Sequence, residues 1–471
     1  MNPLLLRVSS CKIQHMSKKS FRIAKDSMGE MNIPAGMLYG ASTQRAVLNF
    51  PVSGRRFSRA FIHALGQIKL SAAKANQKLG LLTRVQAKAI ALAATSIRDG
   101  LHDDQFVLDV FQTGSATSTN MNANEVISNL AQAVSKVQVH PNDHVNLGQS
   151  SNDVIPAVIH ISTLLELRDK LIPELKQLSK SLAKKAQAFK TIYKIGRTHL
   201  QDATPITLGQ EFGGYAEQIR KSIGRIERCF PNLRELPIGG TAVGTGINTH
   251  PRFAREVCRD LNFELNEKFF EAHDHFEAQS AKDACVETSG ALKTLAVSLI
   301  KIANDIRWLG CGPRAGIGEI KLPAIQPGSS IMPGKMNPVI CESVLQVAAE
   351  VIGSDATITY AAASGNFELN TMMPVIVHHL LESIRLLANV TAVFRTKLID
   401  GIEADKAACE AQIEKSLMLS TALVPVIGYD RAAEVSKEAY QKNKTIREVV
   451  LEKKLIPPAK LSVLLDVKKL V

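Results

Sequence analysis

The sequence predicts a mainly α-helical chain, and three observations carry that expectation. Stripes of Leu and Ile recur every three or four residues, the mark of one helix face. Ala, Leu, Ile and Lys are plentiful, while aromatic residues make up only 5% of the chain, a balance that favours helices over strands. Glycine-rich loops separate the stripes, as they do between the members of a helix bundle.

The first twenty residues carry Arg and Lys but no Asp or Glu. They read as an N-terminal extension: a tail, an upstream start with Met16 as the biological start, or a weak transit peptide. Residues 21–148 mix short helical patterns with loops and form the expected N-terminal, mostly helical domain. Residues 149–400 hold the long stripes and form the expected central domain. Its first stripe is Leu164, Leu167, Leu171, Leu175, Leu178 and Leu182, where Pro173 predicts a kink or a new helix start. A second is Leu292, Leu295, Leu299, Ile302, Ile306 and Leu309, which Gly310, Gly312 and Pro313 terminate. Two more helices are expected over 341–362 and 375–395. Ala296, Val297, Leu299 and Ile300 place apolar groups on several faces of one helix, which an oligomeric bundle would cover. Residues 401–471, short and Lys-rich, read as a small C-terminal helical domain.

The chain has 45% hydrophobic and 21% charged residues, ordinary for a folded soluble protein. No apolar run reaches the roughly 20 residues needed to cross a bilayer. Seven dispersed Cys without a C-x-x-C pair read as free thiols in a reducing compartment, and a cluster could come only from distant residues. A net charge of +13 suits nucleic acid or small dianions. The Lys and Arg are spread out, without an Arg-rich block or interleaved aromatics, which favours dianions.

Four polar loops lie between the helical stretches: Thr113–Glu125, His140–Asp153, Gly196–Pro205 and Pro327–Pro338. Each alone reads as caps and turns; Ser150 to Asp153 before a helix is an ordinary N-cap sequence. Together they offer many neutral donors with Lys335 and His199, which suits a small polyanion. In the fourth loop Ser329 and Ser330 precede Lys335. A Ser acts as a base only when its alkoxide is stabilised by backbone N–H groups or a cation, and this loop can supply both. His199 sits in the dense polar run Arg197-Thr198-His199-Leu200-Gln201-Asp202. His273 and His275 form an H-x-H that reads as a surface loop, since no third His follows at ligand spacing.

These loops resemble the signature segments of the fumarase/aspartase superfamily, above all its fumarate hydratases that use no iron–sulfur cluster. The similarity also covers Lys25–Gly29, Gly240–Gly246, Ile302–Leu309 and Gly365–Asn370, and runs from about Phe21 to the C-terminus. It implies three mostly helical domains, with the long central helices forming a tetrameric core. It implies a homotetramer whose active sites are shared between chains, a dicarboxylate substrate, no cofactor or metal, and neither nucleic acid nor membrane as partner.

Residue by residue, the resemblance makes Ser329 the base that removes the C3 proton of malate. His199, paired with Glu342, handles the hydroxyl or water at C2. Lys335 and Asn337 bind the doubly charged aci-carboxylate. Ser115, Ala116, Thr117, Ser150, Ser151, Asn152, Thr198, Ser330 and Met336 complete the substrate contacts. Ala116 stands where the family usually has glycine. His140, Pro141, Asn142 and Asp143 match a second carboxylate site, but Val137 replaces its basic residue and only Lys136 is near.

Asp202–Pro205, Pro327, Cys341–Ser343 and Asn366–Glu368 point to fumarase. Val339, His144 and Met372–Pro374 look partly aspartase-like. The expected activity is hydration of fumarate to (S)-malate in the tricarboxylic acid cycle, with aspartate ammonia-lyase as the alternative. A non-catalytic structural protein on the same fold is the remote third reading. The expected compartment is the cytoplasm, or the mitochondrial matrix if residues 1–20 are a transit peptide.

Overall fold

The structure, a computed structural model, describes residues 21–471, so the expectations for 1–20 lie outside the described residues. Contacts divide the chain into two compact units. One comprises residues up to Val158, Leu236–Ser280 and Asn366–Pro374. The other comprises Ile159–Glu235, Ala281–Gly365 and Val375–Val471. The architecture is mainly α, as the stripes predict.

The first unit opens with a β-hairpin that the sequence reading missed. Strand Phe21–Asp26 pairs antiparallel with Gly29–Pro34. Helices Ala41–Asn49, Arg59–Lys78, Arg84–Arg98 and Thr117–Ser135 follow. The Glu125 carboxylate accepts from the N–H groups of Gly40, Ser42 and Thr43, which meets the orphan donors at the start of Ala41–Asn49 from a distant helix. Arg59–Lys78 is the pillar of this unit, packed on Arg84–Arg98 and on Phe253–Leu265. Ser71 and Lys74 on the pillar bond Asp260.

In the second unit, helix Ile172–Ala188 follows the π turn Leu167–Leu171, which itself continues from Ser151–Glu166. Pro173 lacks the N–H an α-helix would use, and the wider π turn just before it lets a new helical segment begin without a break. The stripe residues Leu164 to Leu182 are all fully buried. Asp283–Leu309 packs on Val339–Ala362 and on Leu208–Glu227, burying its Leu/Ile stripe. Ser289 and Lys293 meet Asp355 across that contact. Met373–Lys397 covers the last of the long helices that the sequence predicts.

Some faces of these helices stay open in the single chain. Val297, Ile352 and Tyr360 are exposed, the last at 73%. Beside them Ala349 and Ala356 are exposed, and no atom lies within 4 Å of a side chain built at Gly353. A separate buried cluster joins Ile413, Leu423, Val435, Val449 and Leu461 with Ile195. Among the described residues no helix is long and apolar enough to cross a membrane.

Candidate active site

In the first unit the polar groups form a chain of hydroxyls. Ser115 Oγ lies 2.7 Å from Thr117 Oγ1, which lies 2.7 Å from Ser151 Oγ. Asn152 donates from Nδ2 to Ala242 O at 2.8 Å. Ser150 Oγ accepts from Asn152 N, and Ser150 N donates to Asp153 Oδ1 at 2.9 Å. The cap expected from Ser150 to Asp153 is therefore present. Asp153 does more than cap: its other oxygen accepts from Gly239 N and Thr241 N, both at 3.0 Å. It is fully buried, and that burial pushes its carboxyl up from the ordinary range.

Ala116 caps the Thr117–Ser135 helix in the left-handed conformation, φ +53°, and is fully buried. This backbone costs a non-glycine residue about 1–2 kcal/mol, which gives the family's glycine a physical reason. Gly114 beside it admits no side chain, because a Cβ would overlap Thr371 O. His140 turns its ring onto its own π turn Pro141–Val145, where Nδ1 accepts from Asn142 N and Asp143 N. Asp143 Oδ2 also approaches the same ring nitrogen, at 3.1 Å.

In the second unit His199 stands at the tip of a hairpin. Strands Tyr193–Thr198 and Gln201–Thr207 pair antiparallel, and His199 and Leu200 both adopt positive φ, as a two-residue hairpin turn requires. Thr198, His199 and Leu200 are exposed. Below the tip, Arg197 forks onto the fully buried Glu319 at 2.8 and 2.9 Å. The buried Lys194 lies 3.2 Å from both Glu319 and Glu211. Burial pushes the Glu211 carboxyl up, against the pull of Lys194.

The Pro327–Pro338 loop is held by its own bonds. Gly328 N donates to Lys335 O at 2.9 Å, and Asn337 Nδ2 to Gly328 O at 2.6 Å. Ser329 Oγ accepts from Ile331 N at 3.2 Å and Met332 N at 3.0 Å. Both donors come from the same loop and lie two and three residues after the serine. Ser330, Lys335 and Met336 are exposed. Lys335, Met336 and Asn337 border a cavity of about 830 Å³ that Arg307 and Trp308 also line. Glu342 lies exposed in the first turn of Val339–Ala362. Among the described residues no hydrogen bond or ion pair joins it to His199 within the chain. His275 turns its ring to Ile238 O, and no group of three potential metal ligands is placed together among the described residues.

A family model described as lyase matches residues 29–353, and one described as fumarase C C-terminus matches residues 419–471. The class II fumarate hydratase of Halobacterium salinarum is 53% identical over 453 residues, covering 95% of this chain and 96% of that protein. That of Corynebacterium glutamicum is 52% identical over 448 residues, covering 95% and 94%. The chain belongs to the class II fumarate hydratase family. This is a family of hydro-lyases. The fold agrees: a recombinant class II fumarase from Schistosoma mansoni superposes with a TM-score of 0.93 at 37% identity, covering 95% of this chain and 98% of that one. A fumarate lyase:delta crystallin from Brucella melitensis bound to cobalt gives 0.92 at 44% identity, covering 96% and 99%.

Two residues that brace the candidate site are not evident from the sequence. Asp153 was legible only as a cap, and its partners Gly239 and Thr241 are 86 and 88 residues away. Glu319 stands in a glycine-rich stretch with no pattern that points to Arg197, 122 residues earlier.

Proposed function

We propose that this chain catalyses the reversible hydration of fumarate to (S)-malate. Beyond family membership, one observation carries the reading: Ser329 Oγ rests on two backbone N–H groups in a loop that also presents Lys335. In the reverse direction, from malate to fumarate, the Ser329 alkoxide takes the C3 proton and the electron pair moves into the adjacent carboxylate. Lys335 and Asn337 then face the resulting aci-carboxylate. The electron pair then returns from the aci-carboxylate to form the C2=C3 bond as the C2–O bond breaks, while His199, with Glu342, gives a proton to the departing hydroxyl, which leaves as water. The C–H acid is weak, so fixed donors must meet the charge as it develops. Ser115, Thr117, Ser150, Ser151, Asn152 and Thr198 hold the dicarboxylate.

The assembly we propose is a homotetramer with each site shared between chains. The open face of Val297, Ile352, Tyr360, Ala349 and Ala356 supports it, as does the absence of a His199–Glu342 contact within one chain. The division into domains 21–148, 149–400 and 401–471 belongs to the same reading, and the separate C-terminal cluster supports its last member. We place the enzyme in the cytoplasm.

Purified protein incubated with fumarate, with and without ammonium, tests the activity. Malate in both reactions is expected. Aspartate formed only with ammonium, and no malate, would make the chain an aspartate ammonia-lyase.

A further inference from the structure

The pillar helix Arg59–Lys78 carries a fully buried lysine, Lys69, among the apolar neighbours Ile68 and Leu70. Its Nζ donates to Asn146 Oδ1 at 2.9 Å and to Gln149 Oε1 at 3.1 Å. Asn76, two turns further along the same helix face, donates to Leu147 O at 2.9 Å. Asn120 also donates to Asn146 Oδ1. The segment 146–149 is thus strapped to the pillar immediately before Ser150, Ser151 and Asn152. Burial pushes the Lys69 ammonium down to about 7, and the charge of Asp153 acts against that shift. Asp153 in turn holds Ser150 N and the Gly239–Thr241 segment. A buried amine and a buried carboxyl group therefore lie behind the same short loop, and each favours the charged form of the other against the cost of burial.

We infer that Lys69 is a positioning residue: through Asn146, Gln149 and Asp153 it sets where Ser150, Ser151 and Asn152 present their polar groups to the dicarboxylate. It touches no substrate atom itself. The inference rests on the reading above that residues 150–152 bind substrate.

The test uses the assembled enzyme and four variants. Lys69→Met keeps length and apolar fit but removes the charge. It should raise KM for fumarate about tenfold while kcat stays within about threefold, since the chemistry at Ser329 is untouched. Lys69→Met/Gln149→Leu breaks the same contact from both ends and should raise KM no further than the larger single effect. A wild-type KM in Lys69→Met, or a double variant in which the two single effects multiply, overturns the inference. If Lys69→Met fails to assemble, Gln149→Leu takes its place. It should raise KM in the same way, and an unchanged KM there overturns the inference equally. Asn152→Ala separates the two readings. If it raises KM and the Lys69 and Gln149 variants do not, the inference alone fails. If it leaves KM unchanged, the substrate reading of 150–152 falls and the inference falls with it.

Discussion

Replacing Glu319 by Gln keeps its volume and removes one charge from a fully buried ion cluster. Glu319 accepts two bonds from Arg197 and lies 3.2 Å from Lys194, and its backbone oxygen accepts from Asp405 N. A glutamine can accept at one oxygen only, and its NH₂ would face the cations. Leaving a buried charge without its partner costs about 3–5 kcal/mol. Lys194 keeps Glu211 as a second partner, and Arg197 is partly exposed, so the lower end, about 3 kcal/mol, is expected. Urea unfolding followed by circular dichroism reads this as a lower midpoint at unchanged slope. The same clamp braces the hairpin that ends in His199, so turnover should fall with stability. A loss under about 1 kcal/mol with unchanged kcat would refute the reasoning, because it would mean the clamp neither holds the fold nor the hairpin.

Ser329→Ala and His199→Asn should each cut turnover by about 10²–10⁴ with fold and assembly intact, since both residues lie outside the buried stripes; near-normal turnover in either removes that residue from its role. Mixing the two inactive proteins after dissociation should restore part of the activity, and verified hybrids without it would place Ser329 and His199 of each site on one chain. Exhaustive chelation should leave turnover unchanged, whereas activity lost and then restored by iron or zinc would overturn the metal-free chemistry. His160 is buried against Glu235 O, and burial pushes its ring down to about 4 from an ordinary 6.5. The unfolded chain therefore binds the proton first, so roughly 3 kcal/mol of stability should be lost as pH falls from about 6.5 to about 4. His160→Gln should flatten that slope in urea melts taken across the window, and an equal slope in the variant would show that another group titrates.

The helices were legible because their burial follows the 3.6-residue period that Leu and Ile already show. Their ends were less so: the helix expected from 341 begins at Val339, and the one expected over 375–395 runs from Met373 to Lys397. Both long hairpins were missed. The strands around His199 are joined by His-Leu and not by the Asn-Gly or Asp-Gly that announces such a turn, so the stretch read as a loop. The candidate catalytic groups stand in local motifs of distinctive composition, so the sequence alone singles them out. What supports those groups was not. Lys69, Asp153 and Glu319 act through partners tens of residues away or more, and a single sequence carries no record of such pairs.

The signature loop closes on itself. Gly328 meets Lys335, Asn337 meets Gly328, and Ser329 meets Ile331 and Met332, all within ten residues. A segment whose shape is written in its own bonds is heritable as a piece. Changes in the scaffold around it need not displace the serine, because the bonds that set the place of its oxygen lie inside the loop.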